Sequence, residues 1–445
     1  MEVLLEKSSP TTAILKVKLV KDDYQSKVDK SIKDYSKRVS LKGFRPGKVP
    51  TQIIAKMYGK GILVDEVNHL LSHTVSDYIK ENKLPVVGDP LPNRDQTQTI
   101  DWDTQTEFEF AFDLGLAGEF VVDFEQIDGI TKYTIQAGES DLENTIQDLR
   151  QRFADNTHPD TSEEGDIIYG EITQGEFNAK TAIPVNRVKQ DEKTKFIGLK
   201  VGDTVTFDIQ NTFEDEAAIA HITGKKKEEV AELEGEYTFV VEDITRSVPA
   251  ELNDEFFHKV LGFHEEIKSE EEFREKIAAI MQDNYDRETE ALLKRDVEEK
   301  LLEKTPIELP QDFLKRWLLE SNEGKFTAED IEKEYDAFEK SLRLSLIHNR
   351  IAETHEIKVE PDELLEEAKR IVKGQFGFYG EGDEMNDVIN RIAQQYLMDR
   401  EKDNYRRVFQ QVFENKVYQL VLSNIKPVDR TVSVNEFEEV VKAIA

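Results

Sequence analysis

Hydrophobic positions in the first part of the chain follow two periods. "TTAILKVKLV" sets Leu15, Val17 and Leu19 on one face against Ile14, Lys16 and Lys18 on the other, and "TEFEFAFDLGL" alternates Phe108, Phe110, Phe112 and Leu114. Period two predicts two strands that pair with each other. Between them Tyr24, Val28, Ile32, Tyr35 and Val39 recur every three or four residues behind the capping candidate Asp22, which predicts an amphipathic helix stopped by Gly43. "TQIIAKMY" and "ILVDEVNHLLSHTVSDYIKEN" then read as a short and a long helix broken at Gly59 and Gly61. Residues 1–117 are therefore expected to form an α+β domain with "GFRPGKVP" at a helix-to-helix turn.

Residues 118–155 read as a connector. A strand-like "GITKYTIQA" precedes the helical "SDLENTIQDLRQRF", where Ser140 and Glu143 stand at capping-box spacing. Across 156–246 five short β-runs ("GDIIYGEIT", "TAIPVNRV", "VTFDIQNTF", "AHITGKKKEEV", "GEYTFVVEDIT") predict a small β-rich domain. From 247 to 445 the pattern is helical: Phe273, Ile277 and Ile280 share a face, as do Leu346, Ile351 and Ile357 less regularly. Heptads are not sustained, and Pro306, Pro310 and Pro361 interrupt them, so short packed helices are expected rather than a coiled coil. The fold class is multidomain α+β, with a large all-helical C-terminal domain.

Charge changes this picture. The net charge is −33, with 34% charged residues, which argues against general affinity for nucleic acid or anionic membrane. Yet the first 60 residues carry 14 Lys/Arg against 6 Asp/Glu, leaving the other 385 at −41. One end is thus suited to a polyanion that repels the rest. The chain has no cysteine, which excludes disulfides and thiolate chemistry, and 8 histidines. "HEEIK" at His264 lacks the second histidine of a zinc-protease helix and reads as a solvated helix start. "MEVLLEKSSP" does not read as a secretion signal, and no stretch approaches ~18 consecutive apolar residues, so a cytoplasmic protein without a membrane partner is expected.

The candidate chemistry centres on "KGFRPGKVP". Gly43 and Gly47 permit backbone shapes closed to other residues while Pro46 and Pro50 remove freedom, so Phe44 sits on a tightly shaped loop beside Arg45 and Lys48. An exposed aromatic flanked by cations is a typical interface anchor for RNA or an acidic protein surface. The competing reading makes Phe44 a staple of the helix hairpin. The segment resembles the ribosome-binding signature of the trigger factor family, G-F-R-x-G-K-x-P, matching at Gly43, Phe44, Arg45, Gly47, Lys48 and Pro50. "EKTPIELPQDFL" looks like the start of that family's helical substrate-binding region, and the resemblance runs the length of the chain.

The resemblance implies an ATP-independent chaperone docking at the ribosomal exit tunnel, with ribosomal protein and RNA, nascent and unfolded polypeptides as partners, and no cofactor or metal. It leaves homodimerisation off the ribosome open. It also implies that 156–246 is an FKBP-like peptidyl-prolyl isomerase domain, where an apolar pocket suffices to favour the twisted amide. Here the sequence departs from the family: no Pro-Gly segment precedes "GLKVGD", so weakened or absent isomerase activity is expected. Tyr169, Phe196, Phe213 and Tyr237, with Phe207 and Phe239, are the candidate pocket aromatics, or else ordinary barrel core. In the helical region "GQFGFYGEG" places Phe376, Phe378 and Tyr379 at an expected tip, and Ile389, Ile392 and Tyr396 follow as further candidate client contacts. That glycine run lacks the Lys-Ser/Thr of a phosphate loop, and a packed turn is its alternative. Beside the chaperone stand a prolyl isomerase acting on unfolded proteins and a periplasmic chaperone of similar build.

Overall fold

The structure is a computed structural model describing residues 1–444 except 43, 46, 94, 98–99, 214, 232, 263–266, 268, 323, 377–382 and 400–401. It divides into two compact units. The first holds Met1–Ile130, Lys294–Ala368 and Gln394–Val428; the second holds Thr131–Leu293, Lys369–Ala393 and Asp429–Ala445. Packing therefore does not follow the order of the sequence segments.

The N-terminal part of the first unit contains β1 (Glu2–Lys7), β2 (Thr12–Leu19), α1 (Lys21–Arg38), α2 (Thr51–Glu81), β3 (Leu91–Pro92) and β4 (Phe108–Gly115). The strands form an antiparallel sheet in the order β1-β2-β4-β3. Ala13, Leu15, Val17 and Leu19 of β2 turn inward with Phe108 and Leu114 of β4, and Tyr24, Val28, Val67, Leu71 and Val75 cover them from α1 and α2. Phe110 and Phe112 pack on this core only partly buried.

Three local expectations change. Helix α1 begins at Lys21, where the Asp23 carboxylate accepts the Val20 N–H at 2.9 Å, so Asp22 is not its cap. It ends at Arg38, ahead of the stop expected at Gly43, a position outside the described residues. Helix α2 runs unbroken through Gly59 and Gly61. A glycine inside a helix costs about 1 kcal/mol relative to alanine. Burial of Ile54, Val67, Leu71 and Val75 along the same helix outweighs that cost.

The second unit begins with β5 (Thr131–Ile135), α3 (Glu139–Arg152) and β6 (Asp155–Thr157). It continues through β7 (Ile167–Gln174), β8 (Phe177–Pro184), β9 (Thr204–Asp208), α4 (Ile209–Thr212), α5 (Glu216–Thr223), α6 (Lys227–Val230) and β10 (Glu236–Val248). Strands β6-β10-β7-β8 form one sheet, with β9 also on β10. "AHITGKKKEEV" is helical rather than a β-run: Asp215 caps α5 by accepting the Ala218 N–H at 2.7 Å, and Gly224 closes it at φ +66°. Nor does Ser140 cap α3; Asp141 accepts the Gly138 N–H at 2.7 Å, and Glu143 pairs instead with Arg274 at 2.8 Å.

Helices α7 (Asp254–Leu261) and α8 (Glu270–Lys304) follow. The buried stripe of α8 is Phe273, Ile277 and Met281, whereas Ile280 is exposed, because spacing of four rather than three keeps the stripe on one side here. Beyond it lie α9 (Gln311–Ser321), α10 (Ala328–Thr354), α11 (Pro361–Phe376), α12 (Asp383–Met398), α13 (Asn404–Asn424), β11 (Val428–Val432) and α14 (Val434–Ile444). This region is helical apart from β11, which pairs with β5 of the connector.

Within the first unit α9 lies on β4. Phe313 occupies the space beside Gly115, Trp317 that beside Gly88, and Arg316 reaches Asp113 at 2.6 Å. The "EKTPIELPQDFL" segment makes this docking: Thr305, Ile307 and Leu314 are buried, and the Glu308 carbonyl accepts the Gly118 N–H at 2.9 Å.

Candidate functional site

The loop between α1 and α2 is held from both ends. Phe44 N–H donates to the Leu41 carbonyl and Lys48 N–H to the Arg45 carbonyl, each at 3.0 Å. Gly47 has φ +75°, and a Cβ there would lie 2.9 Å from the Lys37 carbonyl oxygen, so glycine alone fits without strain. Buried Val49 anchors the loop, and Pro50, at φ −58°, leads into α2. Phe44 is 39% exposed, which does not suit a staple; Tyr35 and Tyr58 make the ring contact across the hairpin instead, at 5.1 Å. Arg45 and Lys48 are exposed and have no ion-pair partner among the described residues. A ring beside two free cations on a fixed turn can bury itself in a partner while the cations meet its anionic groups. Gly43 lies outside the described residues.

The aromatics of the β-rich domain behave differently. Phe196, Phe207 and Phe213 pack on one another with ring centroids 5.3–6.4 Å apart, and with Tyr237 and Phe239 they are buried in the domain core. Tyr169 does not join them. Strand β7 turns Ile168, Gly170 and Ile172 inward, so Tyr169 is 42% exposed and lines a separate cavity with Lys180, Thr181, His221 and Glu242. The domain is also tied by Arg246, whose guanidinium donates to both oxygens of buried Asp166 at 2.8 and 2.9 Å. Burial would raise that carboxyl's pKa, but the arginine and the Glu163 N–H hold it below the usual carboxylate value.

The helical candidates divide as well. Ile389 is 1% exposed and so offers nothing to a client in this arrangement; Ile392 and Tyr396 are half-buried. Phe376 closes α11, while Phe378 and Tyr379 lie outside the described residues. Apolar groups unremarked in the sequence are more available. Met398 is 76% and Tyr405 54% exposed, and Phe409, also exposed, stacks on Phe413 with centroids 6.4 Å apart. The signal was present as the spacing of four between Tyr405, Phe409 and Phe413, which puts them on one face of α13. No helix is long and apolar enough to cross a membrane, and no group of metal-binding side chains occurs, among the described residues.

Comparison with known proteins finds three family models in succession. Residues 1–149 match "Bacterial trigger factor protein (TF)", 156–249 match "Probable trigger factor, FKBP-like domain", and 289–441 match "Probable trigger factor, C-terminal domain". Similar proteins include the trigger factor of Halorhodospira halophila, 22% identical over 98% of this chain and 97% of that protein. Another is the trigger factor of Francisella tularensis, 26% identical over 99% of this chain and 98% of that protein. A solved structure, "Promiscuous Substrate Recognition in Folding and Assembly Activities of the Trigger Factor Chaperone", is 18% identical with a TM-score of 0.48, covering 96% of this chain and 100% of that one.

Proposed function

This chain belongs to the trigger factor family, and from that premise we propose that it is an ATP-independent chaperone that docks at the ribosomal exit tunnel and holds nascent polypeptides. The observation that carries the docking role is Phe44, exposed on a turn locked by Gly47 between Arg45 and Lys48. On this reading residues 1–117 dock, 118–155 connect, 156–246 form an FKBP-like module, and 247–445 hold clients, in the cytoplasm. Exposed Met398, Tyr405 and Phe409 supply dispersed apolar contacts, each small enough to leave the acidic protein soluble. Weak, repeated contacts of that kind serve many clients and let them go without hydrolysis.

The test is co-sedimentation with vacant bacterial ribosomes over a salt series. The native chain is expected to pellet in a salt-weakened manner, and the variant Phe44→Ala, Arg45→Ala, Lys48→Ala to bind at least about a hundredfold more weakly, since charged contacts and a buried ring each contribute roughly 1.5–3 kcal/mol. Equal binding by both chains, or by neither, would remove the docking role from this loop.

A further inference from the structure

Helix α2 carries a stripe of acids and imidazoles on its outer side. Asp65, His69, His73 and Asp77 follow one another at intervals of four and are all exposed, while Val67, Leu71 and Val75 of the same helix are buried. At 3.6 residues per turn the four fall within about 120° of arc, centred opposite the buried side chains. Neighbours at this spacing have Cβ atoms about 5–6 Å apart, so the two imidazoles stand one above the other. Neither histidine and neither aspartate has a hydrogen-bond or ion-pair partner among the described residues. Glu66, the remaining carboxylate of this stretch, accepts a hydrogen bond from the Ser31 hydroxyl.

Local charge sets the same stretch apart from its surroundings. The first 60 residues carry 14 Lys/Arg against 6 Asp/Glu, yet between Lys60 and Lys80 the helix holds Asp65, Glu66 and Asp77 and no Lys or Arg. The interval that holds the two histidines is thus one from which a cation is not repelled. Exposed histidines taken singly are ordinary solvated side chains. Two of them one turn apart on a helix held rigid by its buried face form a chelate, because the second ring nitrogen is delivered with little further loss of freedom.

We propose that His69 and His73 chelate a late first-row divalent transition-metal ion, Zn²⁺ and Cu²⁺ being the ions best suited to imidazole nitrogen. One ring nitrogen of each histidine is a ligand, and water fills the remaining positions. Asp65 and Asp77 lie one turn beyond the pair on either side, about 6 Å along the axis, and act by their charge and by accepting hydrogen bonds from the bound waters. No group of three or more such ligands is assembled among the described residues, which makes this an open two-ligand site and not a structural centre. It lies roughly 27 Å along α2 from the docking turn, so metal binding and ribosome docking can be tested separately.

Isothermal titration calorimetry of the full chain with Zn²⁺ alone, and then with Cu²⁺ alone, tests the site. The native chain is expected to bind Zn²⁺ with a Kd of about micromolar order and Cu²⁺ more tightly, and Mg²⁺, which prefers oxygen ligands, is expected not to compete. The double variant His73→Asp with Asp77→His keeps composition and charge but sets the imidazoles two turns, about 12 Å, apart. It is expected to bind Zn²⁺ at least about tenfold more weakly, as is the single variant His69→Gln. Equal affinity in the exchanged chain, or no binding by the native one, overturns the proposal. Urea unfolding gives a second readout: Zn²⁺ is expected to raise the midpoint of the native chain and to leave that of the exchanged chain unmoved. A shift common to both chains would assign the binding to the acidic surface at large and overturn the two-histidine site.

Discussion

Gly115 shows how one missing methyl group decides a docking. A Cβ at this position would lie 2.4 Å from Cδ1 of Phe313, well inside van der Waals contact, so α9 sits on β4 only because the strand carries glycine there. Gly115→Ala is expected to destabilise the first unit by roughly 1–3 kcal/mol, the usual cost of overpacking. Urea unfolding measures it, and Phe313→Leu in the same chain should restore part of the loss by returning the space. The loss should not appear for Phe313→Leu combined with native Gly115 beyond the cost of a smaller side chain. At this scale the tight turn carrying exposed Phe44 was legible in the sequence, since Gly47, Phe44 and the neighbouring cations are close along the chain and their geometry is local. The buried cluster of Phe196, Phe207 and Phe213 was not, because identical aromatic spacing serves a pocket or a core, and only the neighbours packed around it distinguish the two.

Elements tell a similar story about local signals and their limits. Alternation gave β2 and β4 and their pairing correctly, because one face of each strand meets the common core. The glycines of α2 misled, because a helix-breaking tendency of about 1 kcal/mol per residue is small beside the burial of a long helix face. A direct consequence follows for Gly59 and Gly61. No atom lies within 4 Å of a Cβ built on Gly61, and the one built on Gly59 reaches only the Ala55 Cβ at 4.0 Å. Gly59→Ala with Gly61→Ala is therefore expected to stabilise the N-terminal part by about 1–2 kcal/mol, read as a higher chemical-denaturation midpoint. A loss of stability would mean that the chain bends there, as the sequence pattern alone implied. The expected capping residues failed for a different reason. Asp22, Asp23, Ser140 and Asp141 lie next to one another in pairs, and spacing cannot choose between adjacent candidates when either can reach a free N–H.

For the whole molecule the charge split gives salt two opposing effects. Self-repulsion at −33 destabilises the compact state, and screening relieves it, so the unfolding temperature of the free chain is expected to rise between low and physiological ionic strength. Docking through Arg45, Lys48 and the basic first 60 residues should weaken over the same range, by about tenfold or more, because counterions compete for the polyanion. Thermal scans and co-sedimentation in matched buffers check both signs, and salt trends of the same sign would contradict this account. What the sequence by itself determined is the set of locally encoded features: strand alternation, helix periodicity, the charge asymmetry and the turn around Gly47, each fixed by residues within a few positions of one another. Tertiary structure alone decided the rest. It joined Arg316 to Asp113 across 203 positions, placed α9 on β4, buried Ile389 while leaving Met398 and Tyr405 exposed, and brought Arg350 to Lys80 and Lys83. Exposure and convergence depend on what packs against a residue from far along the chain, and no local spacing records that partner.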